Sequence, residues 1–134
     1  MATATARKTT APKTRRATNK AALRQAVAAL NAGNPEDYLA LFAPDARLHG
    51  FPGIEDVDGL CHFHAATAHN FPNAEVTLED VVSENDRVAT RYTWRASQGP
   101  GWALEAHGGA IVRFVDGQIT ECWNLPTELH VVAA

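Results

Sequence analysis

Hydrophobic positions along the chain follow two periods, a helical one before about residue 71 and a strand one after it. From Thr18 or Asn19, Leu23, Val27 and Leu30 share one stripe, and Gly33 supplies a stop. A second helix start is well marked: Asn34 can cap, Pro35 suits the first helical position, and Glu36 and Asp37 favour the positive end of the helix dipole. Tyr38, Leu41 and Phe42 then share a face, and Pro44 ends that helix. A short strand, ARLHGF at 46–51, leads into an irregular loop at 52–58, after which Asp58 can cap a third helix from Gly59 to about Asn70.

Beyond Phe71-Pro72-Asn73 the period becomes two. In 74–83, Val76, Leu78 and Val82 alternate against Glu75, Thr77 and Glu79, and in 87–97 Val88, Tyr92 and Trp94 alternate against Arg91 and Arg95. Asp80 falls in step with the apolar set, which a bulge or a strand end would explain. A Gly/Pro loop precedes WALEAHGGAIVRFV, whose apolar set is Ala106, Gly108, Ala110, Val112 and Phe114, with Glu105, His107 and Arg113 opposite. Asp116-Gly117 is a hairpin turn signal and QITECWNL the returning strand. On that strand the pattern leaves open whether Ile119, Glu121 and Trp123 or Thr120, Cys122 and Asn124 face inward. The order predicts an α+β fold with helices packed on one face of a mostly antiparallel sheet.

Composition sets the outer limits. At 134 residues and 46% hydrophobic the chain suits one domain. No apolar run approaches the roughly 18 residues that span a bilayer, and positions 1–20 lack a secretory apolar centre. No membrane insertion and a cytoplasmic location are the expectations. Charge is unevenly spread: residues 1–20 hold six basic residues and no acid, while the remainder holds six arginines and all fifteen acids. Residues 1–18 therefore read as a basic, flexible tail ahead of a domain at 19–134. The acidic body argues against nucleic acid as the main ligand, leaving at most weak contact through the tail. Cys61 and Cys122 form no C-x-x-C and read as small buried hydrophobes.

Three histidines in CHFHAATAHN raise the question of a metal. At about 100° per residue, Leu60, Phe63, His64, Thr67 and Phe71 share one helix face, with His62 and His69 nearly opposite. His62 and His64 then lie some 200° apart on a helix, about two residue steps, and cannot clamp one ion. No metal and no cofactor are expected. His64, among apolar neighbours, is either a satisfied core histidine or an acid–base or binding residue facing a cavity. His49 offers the same two readings. No nucleophile elbow, phosphate loop or dinucleotide-binding glycine pattern is present, and the lone pair Gly108-Gly109 is weak evidence for any of them.

The stretches FAPDARLHGFPG, DGLCHFHAATAHNFPNAEVTLEDVVSENDRVATRYTW and IVRFVDGQITECWNLP resemble the SnoaL-like polyketide cyclases. These belong to the nuclear-transport-factor-2-like superfamily, with ketosteroid isomerase, scytalone dehydratase and limonene epoxide hydrolase. The resemblance covers about residues 19–128. It implies a cone-shaped barrel of three helices on a curved sheet enclosing a cavity, and a homodimer formed through the outer sheet face. It also implies an acid–base pair on the last two strands, at positions that are Ala110 and Asn124 here. Neither residue exchanges a proton near neutral pH, so the cyclase chemistry is not carried over at those positions.

If that pair faces the cavity, Ala110, Cys122 and Asn124 point inward, and Ile111, Ile119 and Trp123 form an outer surface for a second copy. The resulting expectation is a small-molecule enzyme of the cyclase or isomerase type, working beside a carbonyl of a largely apolar substrate. His64 or His49 would be the base, Asn124 with Tyr92 would hold the oxygen, and Tyr38, Trp94, Ala110 and Cys122 would shape the site. The alternative is a ligand-binding or accessory protein that keeps the cavity without the chemistry.

Overall fold

The computed structural model describes residues 12–97 and 99–133. Three helices, α1 (Pro12–Asn31), α2 (Pro35–Leu39) and α3 (Val57–Asn70), accompany six strands. The strands are β1 (Phe42–Phe51), β2 (Ile54–Asp56), β3 (Glu75–Glu84), β4 (Arg87–Ser97), β5 (Trp102–Val115) and β6 (Gln118–Ala133). They form one sheet in the order β2-β1-β6-β5-β4-β3. Every pairing is antiparallel except β1 with β6, and β2 and β3 remain as edges, so the sheet curves without closing. This is the α+β cone expected from the sequence.

Local departures from the expected elements have local causes. Helix α1 starts at Pro12 rather than at Thr18 or Asn19, so residues 12–18 of the expected tail are helical. The rest of that tail, residues 1–11, lies outside the described residues. Gly33, at φ 89°, ends α1 as expected, a left-handed position that favours glycine. Asn31 then clamps the end of α1 to the β3 edge, its amide donating to the Val76 carbonyl and accepting from the Val76 N–H, both at 2.8 Å. Asn34 makes no side-chain cap, and α2 is only one turn and a half long, leaving Phe42 to begin β1. Pro44 lies inside β1 rather than ending a helix. It sits where the β1–β6 register shifts between Phe42 and Arg47, an irregularity that tolerates a residue without an N–H.

Residues 52–58 contain strand β2 instead of forming only a loop, and the cap of α3 is Asp56, not Asp58. The Asp56 carboxylate accepts from the Gly59 N–H at 2.9 Å, satisfying one of the first-turn donors. Asp116 and Gly117, at φ 51° and 83°, make the two-residue hairpin turn that their sequence signals.

Of the register shifts in the sheet, two decide which core residues face inward. Between Leu78 and Asp80 the β3–β4 register shifts, so Asp80 turns out to meet Arg91, Nε to Oδ2 2.7 Å. Val81 takes the interior place in its stead, and Val82, expected inside, is 62% exposed. Between Arg113 and Phe114 the β5–β6 register shifts as well, with Phe114 opposite Ile119 and Arg113 opposite Glu121. The extra residue reverses the alternation, so Ile119 joins Cys122 on the inner face and is fully buried. The expected outer surface therefore loses Ile119, while Ile111 and Trp123, cross-strand neighbours, remain half-buried.

The core lies between the concave face and the helices. Leu23 and Val27 of α1 and Leu60 of α3 pack with Ala46, Leu48, Val81, Val88, Val112, Phe114, Ile119 and Cys122 of the sheet. Replacing Ile119 by alanine is expected to cost about 3 kcal/mol of unfolding free energy, as for a filled core site that cannot collapse. Ile111→Ala on the other face should cost less than half as much by denaturant titration; equal losses would place Ile119 outside the core.

Candidate active site

Strands β4, β5 and β6 place three rows of side chains on the concave face. Val88, Val112 and Cys122 form one; Thr90, Ala110 and Asn124 the next; Tyr92 and Gly108, with Pro126, the third. Adjacent rows let Tyr92 lean diagonally across β5, and its hydroxyl donates to Asn124 Oδ1 at 3.0 Å. That bond occupies the amide oxygen and leaves the Asn124 Nδ2 protons to be used elsewhere. Thr90 Oγ1 spends its proton on the Ala110 carbonyl at 3.4 Å.

Helices α2 and α3 supply the facing side chains. His64 of α3 lies edge-on to Tyr38 of α2, ring centroids 5.0 Å apart, and to Phe63 at 5.3 Å. Tyr38 also meets Phe42 at 5.4 Å. Among the described residues His64 has no hydrogen-bond partner and is only partly buried, so it is not a core histidine pinned by a backbone group. Phe63 is 46% exposed rather than inward, and Phe71 packs on Trp94 instead of on His64, centroids 5.5 Å apart. Trp94 is thereby engaged at the far end of α3, beyond Tyr92.

The electrostatics follow from burial. His64 is pushed down from 6.5 to about 4 because its imidazolium would lose water without gaining a partner. Burial likewise pushes the Cys122 thiol up to about 12. Tyr38 is raised chiefly by burial, with Cys122 and Tyr92 close enough to add to the effect. Tyr92 is raised by burial as well, against the opposing influence of its bond to Asn124 and with a further increase from Cys122. These mutual influences tie Tyr38, Cys122, Tyr92 and Asn124 into one neighbourhood, with His64 against Tyr38. At neutral pH all five side chains are uncharged.

His49 does not belong to this group. It precedes the turn of β1 opposite Trp123, on the outer face, whereas its neighbour Leu48 is opposite Cys122 and buried. Its Nε2 lies 2.6 Å from Glu121 Oε2, and its ring stacks on Trp123 at 5.7 Å, with the Arg87 guanidinium 5.2 Å from the same indole. Alternation on a single strand could not foretell this, because the facing of β1 depends on its parallel register with β6. His62 and His69 are exposed on α3, and His62 Nδ1 lies 2.9 Å from the Asp58 carbonyl oxygen. Among the described residues no group of three metal-ligating side chains converges.

Sequence reasoning missed one participant. Gly108 appeared as half of an uninformative glycine pair, yet a Cβ there would fall 2.7 Å from the Tyr92 hydroxyl. The signal was present only as a glycine opposite a tyrosine on a neighbouring strand.

This arrangement, Tyr92 and Asn124 on the concave face of an open α+β cone with Tyr38 and His64 on the helices, coincides with a family match. Residues 23–122 fit the SnoaL-like domain, and the chain belongs to that family. IdmH, a proposed polyketide cyclase of Streptomyces antibioticus, is similar in structure with a TM-score of 0.68 at 28% identity, covering 83% of this chain and 91% of its own. AclR, a proposed hydroxylase of Streptomyces galilaeus, superposes at 0.76 with 24% identity, over 84% of this chain and 90% of that one, and shows the shared fold. A SnoaL-like protein from Jannaschia sp. superposes at 0.64 with 20% identity, over 84% and 85% of the two chains. Among proteins of curated function none matches the chain significantly. No described helix is long and apolar enough to cross a membrane.

The lowered His64 value has a consequence for stability. Between pH 6.5 and about 4 the unfolded chain binds a proton at His64 that the fold refuses, so stability falls as pH drops through that window. The loss attributable to this residue is at most about 3 kcal/mol. Denaturant titrations of wild type and His64→Gln between pH 7 and 4 should show a shallower decline in the variant. Parallel declines would mean that His64 is solvated.

Proposed function

We propose that this protein is a cofactor-independent enzyme of the cyclase or isomerase type, abstracting a proton beside a carbonyl of a largely apolar substrate. The observation that carries this reading is His64, a neutral imidazole without a hydrogen-bond partner among the described residues, packed on Tyr38, which itself lies close to Tyr92 and Cys122. With the His64 value near 4, the base is ready at any neutral pH. Its weakness is no bar, since a carboxylate of similar basicity, about 4.6, serves as the base in ketosteroid isomerase. The imidazolium formed, disfavoured by burial, is a strong acid and readily returns the proton to a second carbon or oxygen of the same molecule.

The substrate oxygen gains negative charge as the proton leaves and needs a fixed donor. Asn124 Nδ2 supplies it, and the Tyr92 hydroxyl on Asn124 Oδ1 fixes the amide in the orientation that presents that donor. Tyr38 and Cys122, both held protonated, line the site without adding charge, which favours a neutral reacting group over a carboxylate. The similarity to IdmH supports a polyketide-like carbon skeleton. The second reading, binding without chemistry, draws on the replacement of the family's titrating pair by Ala110 and Asn124.

Exchange of α-protons for deuterium in polycyclic ketones and phenols, followed by NMR, separates the two without knowledge of the product. Wild type is expected to catalyse exchange, His64→Ala to lose about 100-fold or more, and Asn124→Ala a similar factor, with binding little changed. Ligands that bind and stabilise the protein without any exchange would establish the binding role instead.

The outer face around Ile111 and Trp123 is, in the same reading, where two copies meet. Trp123→Arg should then convert a dimer to a monomer in sedimentation experiments, and unchanged sedimentation would remove that surface from consideration.

A further inference from the structure

Gly108 occupies the middle of β5, paired with Tyr92 on one side and Pro126 on the other. Its backbone does not call for glycine: unlike Gly117, it is not among the residues of positive φ. Glycine inside a strand is unfavourable, since it contributes no packing and loses more chain entropy than any other residue. Something other than conformation must therefore account for it. A Cβ at this position would lie 2.7 Å from the Tyr92 Oη and 2.8 Å from its Cζ, closer than real contacts allow, and 3.1 Å from the Leu125 carbonyl oxygen. The neighbouring Gly109 differs: a Cβ there would meet only the Thr90 carbonyl oxygen, at 3.2 Å.

We propose that Gly108 is a positioning residue, whose missing side chain forms the slot through which the Tyr92 ring crosses β5 to hold Asn124. The distance to be bridged requires it. Tyr92 belongs to β4 and Asn124 to β6, so the hydroxyl must pass over the intervening strand to make its 3.0 Å bond. Tyr92 is directly opposite Gly108, and Asn124 is opposite Ala110, one inward-facing step along β5. Small residues at both β5 positions leave the diagonal open. The proposal rests on the reading of Asn124 as the oxygen-binding donor for its functional meaning, and on the contact distances alone for its structural one.

The consequence of adding a methyl group is specific. The crowded Tyr92 atoms are the free end of a side chain, which can swing aside at little expense, whereas the β5 backbone is held on both edges. Gly108→Ala is therefore expected to fold and to displace the tyrosine tip from Asn124. The chain has two tyrosines, Tyr38 and Tyr92, so ¹³Cζ-labelled tyrosine gives two NMR signals, assigned with Tyr92→Phe. In Gly108→Ala the Tyr92 signal should move by at least half the shift seen in Asn124→Ala, with Tyr38 following little; Gly109→Ala should leave Tyr92 in place.

Thermal unfolding provides the second arm. Gly108→Ala should lower Tm in the wild-type background, yet leave it unchanged or raise it in Tyr92→Ala, where the ring is gone and alanine suits a strand better than glycine. An unmoved Tyr92 signal, or equal losses of Tm in both backgrounds, would overturn the proposal and assign the crowding to the Leu125 carbonyl. The deuterium-exchange assay keeps the two readings apart. A displaced Tyr92 with reduced exchange supports both, whereas a displaced Tyr92 with exchange at the wild-type rate confirms the slot and rejects Asn124 as an oriented donor.

Discussion

The hairpin of β5 and β6 is the constraint on which the remaining structure depends. Its register brings Val112 to Cys122 and Ala110 to Asn124, and the shift between Arg113 and Phe114 turns Ile119 inward to join them. Side chains on a strand have a period of two, so without that extra residue the segment before Glu121 would present the opposite face. A fully buried isoleucine would then sit on the outer surface, and the core under α1 would lose its filling. The same register holds β1 in place through parallel pairing, which in turn puts Leu48 inside and His49 outside.

On that frame the site follows from what the concave face excludes. Tyr38, His64, Tyr92, Cys122 and Asn124 are all polar, yet none carries charge near neutrality, because burial disfavours the ionised form of each titrating member. Charged side chains pair elsewhere. His49 meets Glu121 on the outer face, and Arg95 and His107 flank Glu105, whose carboxyl is held below its usual range chiefly by the Arg95 hydrogen bond. A partly buried face with oriented neutral donors is suited to transient charge, stabilising it when a proton moves without holding a permanent ion beforehand.

The element order, the antiparallel hairpins and the inward set of β5 were legible in the sequence because period-two alternation and the Asp116-Gly117 turn act locally. His64 facing inward was legible too, from helical spacing against Leu60. What alternation could not reveal were the phase reversals at Glu79 and Thr120, since a bulge is a property of two paired strands and leaves no fixed mark on one. Val82 and Ile119 were misplaced for that reason. His49 was grouped with the site because the facing of a short parallel strand is set by its distant partner β6. Gly108 escaped notice since its role depends on Tyr92, sixteen positions earlier in the chain and adjacent only across the sheet.

On this account His64 is a neutral imidazole, partly buried beside Tyr38. The most direct test is a ¹⁵N NMR titration of the histidine rings, with His64 assigned by His64→Gln. A single His64 transition with a midpoint near 4, in protein still folded at that pH, is the predicted result. A midpoint near 6.5 would show a solvated ring and contradict the account.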